Sequence, residues 1–116
     1  MNSLMVIEGI VVTCDSLGRF RLNDLHRAAG GEQRHRPRHW IENKHTSELI
    51  EQILMDRGID KSGQHQLVSV IHGGNNQGTY VCKELVYDYA MWISPKFYIR
   101  VLKALPLVNS LHKWGA

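Results

Sequence analysis

The sequence predicts an α+β domain in which two β-hairpins combine with a small helical bundle. Three observations carry this. Two pairs of short segments rich in β-branched residues, at 5–13 with 19–22 and at 67–71 with 79–82, are each joined by turn residues. Between and after them, apolar residues recur at helical spacing. The length of 116 residues fits one domain, large enough to bury a core without staples.

Taken in order, residues 5–13 read as one strand, Asp15-Ser16-Leu17-Gly18 as a turn, and Arg19–Leu22 as the returning strand. Asn23 or Asp24 is the expected cap of a short helix that stops at Gly30-Gly31. Pro37 suits the first turn of a helix running to about Asn43. Thr46 is the expected cap of the next helix, whose apolar face is Leu49, Ile50, Ile53 and Leu54 and whose end is Gly58. Residues 59–65 read as a polar loop. Leu67–Ile71 and Thr79–Cys82 are strands around a glycine-rich tip, Gly73–Gly78. Lys83–Ile93 reads as a helix with Leu85, Tyr89 and Trp92 or Ile93 inward. Ser94-Pro95 opens a new helix, with Phe97, Val101 and Leu105 inward until Pro106. The expected domain is therefore 1–105, followed by a tail or linker at 106–116.

Composition excludes several classes. The hydrophobic share of 43% and charged share of 22% are ordinary for a soluble globular chain. A net charge of +3 is compatible with a polyanion partner and selects none by itself. Cys14 and Cys82 are too few and too far apart for a disulfide scaffold or a cysteine zinc site. They read as reduced thiols in a cytosolic protein. No segment has the length of a membrane span, and the N-terminal apolar run carries Glu8 and lacks a basic start. There is no P-loop, no H-E-x-x-H and no paired-carboxylate motif. His35 and His39, spaced i, i+4, lack the further ligands zinc needs. No enzyme activity, metal or cofactor is expected.

Two constellations remain. The first is Arg34-His35-Arg36-Pro37-Arg38-His39 followed by Lys44, which sets three arginines within five residues at the start of a helix. Such a group can reach phosphates, and arginine reads guanine bidentately in the major groove. The histidines would add pH-dependent positive charge. Trp40 reads as a core anchor that fixes this segment to the body. The second is the tip, where the amides of Asn75, Asn76 and Gln77 can pair with adenine or donate to phosphate. Composition alone leaves a solvated charged loop and an ordinary flexible turn as the alternatives for these two.

The run Gly78-Thr-Tyr-Val-Cys-Lys-Glu-Leu-Val-Tyr-Asp-Tyr-Ala-Met-Trp-Ile-Ser-Pro-Lys-Phe, with Gly73-Gly74-Asn75-Asn76-Gln77 before it, resembles the signature of the KilA-N domain. That domain is a DNA-binding module of phage and large DNA-virus proteins, related to the fungal APSES domain. The resemblance extends over roughly residues 5–105. It implies a winged helix-turn-helix-like arrangement in which the second hairpin is a wing beside the basic segment. It also implies a sequence-specific double-stranded DNA-binding module of a phage-type transcriptional regulator or antirepressor, acting in the bacterial cytoplasm. The expected contacts are Arg34, His35, Arg36, Arg38, His39, Lys44, Asn75, Asn76 and Gln77. A repressor protein or a second copy is a further candidate partner. The competing expectation is a protein-interaction domain that binds a repressor without touching DNA.

Overall fold

The computed structural model describes residues 5–104, so Leu105 and the expected tail lie outside the described residues. Strands β1 (Met5–Ile7) and β2 (Ile10–Val12) form a hairpin in the register Met5↔Val12 and Ile7↔Ile10. The single strand expected over 5–13 is thus broken. Glu8 and Gly9 turn it at φ 52° and 78°, the left-handed pair that a two-residue hairpin with native twist requires. Met5, Ile7 and Val12 point into the core, and Val6 and Val11 point outward.

The Asp15–Gly18 turn forms as read, with the Asp15 carboxylate accepting from the Leu17 and Arg19 amides. Strand β3 (Phe20–Arg21) also departs from expectation. It meets the first hairpin only through a Cys14–Phe20 bridge and pairs along β5. β4 (Val68–Ile71) and β5 (Gly78–Val81) complete a three-stranded antiparallel sheet in the order β3-β5-β4.

α1 (Leu22–Ala28) follows β3 directly, and neither Asn23 nor Asp24 caps it. Both lie in its first turn and bond elsewhere: Asn23 Oδ1 accepts from the Thr79 amide and Asp24 Oδ2 from the Thr13 amide, each at 2.9 Å. A 3₁₀ turn at Gln33–His35 leads to α2 (Pro37–Ile41), with Pro37 in its first turn. α3 (Lys44–Arg57) starts three residues earlier than a Thr46 cap would set. Thr46 is instead fully buried, its hydroxyl donating to the Trp40 carbonyl at 2.7 Å. Gly58 ends α3 in the left-handed conformation.

The polar stretch after it is ordered as a 3₁₀ helix, Lys61–Gln66, opened by the Asp60 carboxylate. α4 (Lys83–Ile93) and α5 (Pro95–Ala104) close the domain, with Ser94 Oγ accepting from the Phe97 amide at 3.0 Å as a cap. The α4 stripe facing the core is Leu85, Val86, Tyr89 and Ala90. Its centre lies about 90° from Trp92 at 100° per residue, so Trp92 is 36% exposed rather than buried.

Candidate nucleic-acid interface

The charge that distinguishes this domain is concentrated in one segment. Residues 34–45 carry Arg34, Arg36, Arg38 and Lys44 against the single carboxylate of Glu42. Their net +3 equals that of the whole chain, and the remaining residues balance.

The segment is held to α4 at several points. Trp40 is fully buried, packs edge-on against Tyr89 with ring centroids 5.6 Å apart, and donates its indole N–H to Asp88 Oδ2 at 2.9 Å. The other Asp88 oxygen meets His45 Nε2 at 3.0 Å. The Tyr89 hydroxyl donates to the His35 carbonyl at 2.6 Å, and burial pushes that phenol well above its ordinary titration range. The backbone bearing the arginines is therefore pre-set by buried aromatic and polar contacts, as the Trp40 anchor led one to expect.

The arginines divide into two groups. Arg19, Arg21, Arg27, Arg34, Arg57 and Arg100 each face a carboxylate: Asp15, Asp24, Asp24, Glu32, Glu84 and Glu8. Among the described residues only Arg36 and Arg38 have no carboxylate partner, and both line the same cleft of about 350 Å³. Its other walls are Pro37, Asn23 and His26 of α1, and Thr79 of β5. Uncompensated guanidinium groups on an open cleft are available to an external anion without first giving up an ion pair.

The other expected contacts are placed less uniformly. Arg34 pairs with Glu32 at 3.1 Å and Lys44 with Glu48 at 3.9 Å, in exposed pairs that solvent screens. His39 is exposed. His35 is half-buried, its ring edge-on to Trp92 at 5.7 Å and its Nδ1 buried without a hydrogen-bond partner. Asn75, Asn76 and Gln77 are all exposed at the hairpin tip. The Gln77 side-chain oxygen accepts from the Gly73 amide at 3.1 Å, while the amides of Asn75 and Asn76 make no hydrogen bond among the described residues.

Asn23, His26 and Thr79 were not legible as site residues. Asn23 looks like a helix cap, and His26 and Thr79 reach the cleft only because β5 pairs with β3 immediately before α1. Among the described residues no group of three His, Cys, Asp or Glu side chains could hold a metal. Both cysteines are free, and burial raises both thiols, which makes them weak nucleophiles. No helix among the described residues is long and apolar enough to cross a membrane.

The fold and this face define an α+β domain with a cationic cleft at the base of an exposed polar hairpin. The family model of the KilA-N domain matches residues 4–111, and the chain belongs to that family. It is 35% identical over 100 residues to Protein kilA of Escherichia phage P1, covering 86% of this chain and 35% of that protein. It is 37% identical over 67 residues to a KilA-N domain-containing protein of Acanthamoeba polyphaga mimivirus, covering 55% of this chain and 18% of that one. The chain thus spans about a third or less of the length of these relatives. No solved structure matches it.

Proposed function

We propose that this chain is a sequence-specific double-stranded DNA-binding module, the targeting part of a phage-type transcriptional regulator or antirepressor working in the bacterial cytoplasm. The observation that carries the proposal is the Arg36–Arg38 pair, the two arginines without a carboxylate partner among the described residues, gathered on one cleft. Arg34 and Lys44 add phosphate contacts by releasing their weak surface partners. His39 adds charge when protonated. Arg36 and Arg38 read bases or clamp the backbone beside them, and the amides of Asn75, Asn76 and Gln77 meet the same duplex as a wing.

The decisive experiment is selection of bound duplexes from a random pool, followed by a salt titration on the winner. With four to six phosphates contacted, log K against log salt should slope at about −3.5 to −5.5. A flat response removes the DNA reading. It would favour the alternative of a docking domain for a repressor or a second copy, which the partly exposed Met91, Trp92 and Ile99 would then serve.

A further inference from the structure

The second hairpin runs out of the core before its tip. Every residue from Val70 to Gln77 is exposed, including Val70 at 47% and Ile71 at 38%. No apolar packing therefore fixes the direction in which Asn75, Asn76 and Gln77 point. Polar ties at the base of the tip do so instead.

The principal tie is Arg21. Its Nε and Nη2 both donate to the Gln77 carbonyl, at 2.9 and 2.7 Å, while Nη1 donates to Asp24 Oδ1 at 2.7 Å. Asp24 is only 3% exposed and is itself fixed by the Thr13 amide and Arg27. One planar guanidinium thus joins a buried carboxylate on α1 to a backbone carbonyl at the tip, with its donors held in a rigid fork. Asn23 ties the next residues through the Thr79 amide, and the Tyr80 hydroxyl donates to the Asn76 carbonyl at 2.9 Å. Gly78 lies between these ties at φ 152°. A Cβ there would stand 2.7 Å from Arg21 Nε and 2.9 Å from Asn23 Oδ1. Only glycine lets the clamp close.

We propose that Arg21 is a positioning residue: it touches no DNA, and it sets the angle of the hairpin tip against the Arg36–Arg38 cleft so that both meet one duplex. The functional half of this inference rests on the DNA-binding reading above. Its structural half, that Arg21 orders the tip, does not.

The test uses Arg21→Met, Arg21→Lys and Gly78→Ala, with two readouts well below the melting temperature. The first is the backbone amide order parameter of residues 73–77 in the free protein. In Arg21→Met and Gly78→Ala it should fall to below about 0.6, while the Asp15–Gly18 turn keeps a rigid value near 0.85. Arg21→Lys, with one centre for the fork, should lie between these variants and the wild type.

The second readout is affinity for the selected duplex. It should drop about five- to twentyfold, because binding must then order the tip. Adding Asn75→Ser and Asn76→Ser to Arg21→Met should cost less than adding them to the wild type, since both act through the tip. Gly78→Ala covers the case in which Arg21→Met unfolds, because it leaves the Asp24 bonds to Thr13 and Arg27 in place. Unchanged tip order in folded Gly78→Ala and Arg21→Lys overturns the inference, as does full additivity with the tip substitutions. If the wild type binds no duplex, the DNA-binding reading has failed, and the order parameters alone decide whether Arg21 is the clamp.

Discussion

Two flanks of this domain carry similar side chains and use them differently. Along α3 and the start of α4, cations meet carboxylates. Arg57 Nη2 contacts both oxygens of Glu84 at 2.8 Å, and Lys61 approaches Glu51 at 4.0 Å. Along 34–45 the arginines crowd together, and among the described residues two of them, Arg36 and Arg38, have no carboxylate partner. On the first flank the charge is balanced within the fold and is worth little to stability, because these pairs are exposed. On the second the imbalance persists because buried contacts from Trp40 and Tyr89 hold the backbone against repulsion. A paired surface balances its charge within the fold, whereas an unpaired one, rigidly mounted, leaves its guanidinium donors open to an external anion.

The comparison breaks most sharply at its mounting. Trp40→Ala should cost about 3–5 kcal/mol through a core cavity and leave Asp88 without its indole donor. Chemical denaturation should show this loss, and DNA binding should disappear with the fold. Next comes the contrast itself. Arg36→Ala or Arg38→Ala should lose about 1–3 kcal/mol on the selected duplex if that arginine reads a base, and less on random DNA. Arg57→Ala on the paired flank should leave duplex affinity unchanged. Equal effects from the two flanks, measured by fluorescence anisotropy, would erase the distinction.

The tip tests a smaller effect. Replacing Asn75, Asn76 and Gln77 with serine should change stability by no more than about 0.5 kcal/mol while weakening specific binding. Trp92→Ala should be milder than a core deletion. The ring is partly exposed and stacks on Tyr89 with centroids 6.0 Å apart, so a loss of about 1 kcal/mol is expected by thermal melting.

Acid should expose the paired flank with the gentlest slope. Burial would raise the Glu84 carboxyl, but its bond to Arg57 outweighs that and lowers it. Asp15 is lowered in the same way, against burial, by Arg19 and the Leu17 amide. Both titrate lower folded than unfolded. Their stabilisation is therefore full above the ordinary carboxylate range and fades as pH falls below about 4. Arg57→Met should flatten that decline in a melting-temperature profile. Tyr89 works in the opposite sense. Its raised phenol contributes stability below its unfolded value of about 10, which is lost as pH climbs beyond that.

Local chemistry alone determined much of this protein. Pro37, Gly58 and Ser94-Pro95 set helix boundaries because a fixed φ, a left-handed φ and a hydroxyl cap act within one turn of chain. The Asp15–Gly18 turn was legible for the same reason. The arginine cluster and the Asn-rich tip were visible because they are contiguous in sequence. The Glu8–Gly9 hairpin inside an apolar run was missed, since β-branched residues on both sides look like one strand.

Only the tertiary structure decided the rest. Asn23, Asp24 and Thr46 have the chemistry of helix caps, yet their oxygens serve Thr79, Thr13 and Trp40, partners 56, 11 and 6 residues away. Non-local hydrogen bonds outcompeted the local ones because burial removes water as an alternative partner. Trp92 fell to the edge of α4 because the stripe is centred by what the whole core packs, not by the spacing of one aromatic pair. The division of the arginines was hidden for the same reason. A cation's partner is set by which carboxylate the fold brings within 4 Å, and for Arg19, Arg21 and Arg27 that is a nearby aspartate, for Arg57 a glutamate 27 residues on, and for Arg36 and Arg38 no carboxylate among the described residues.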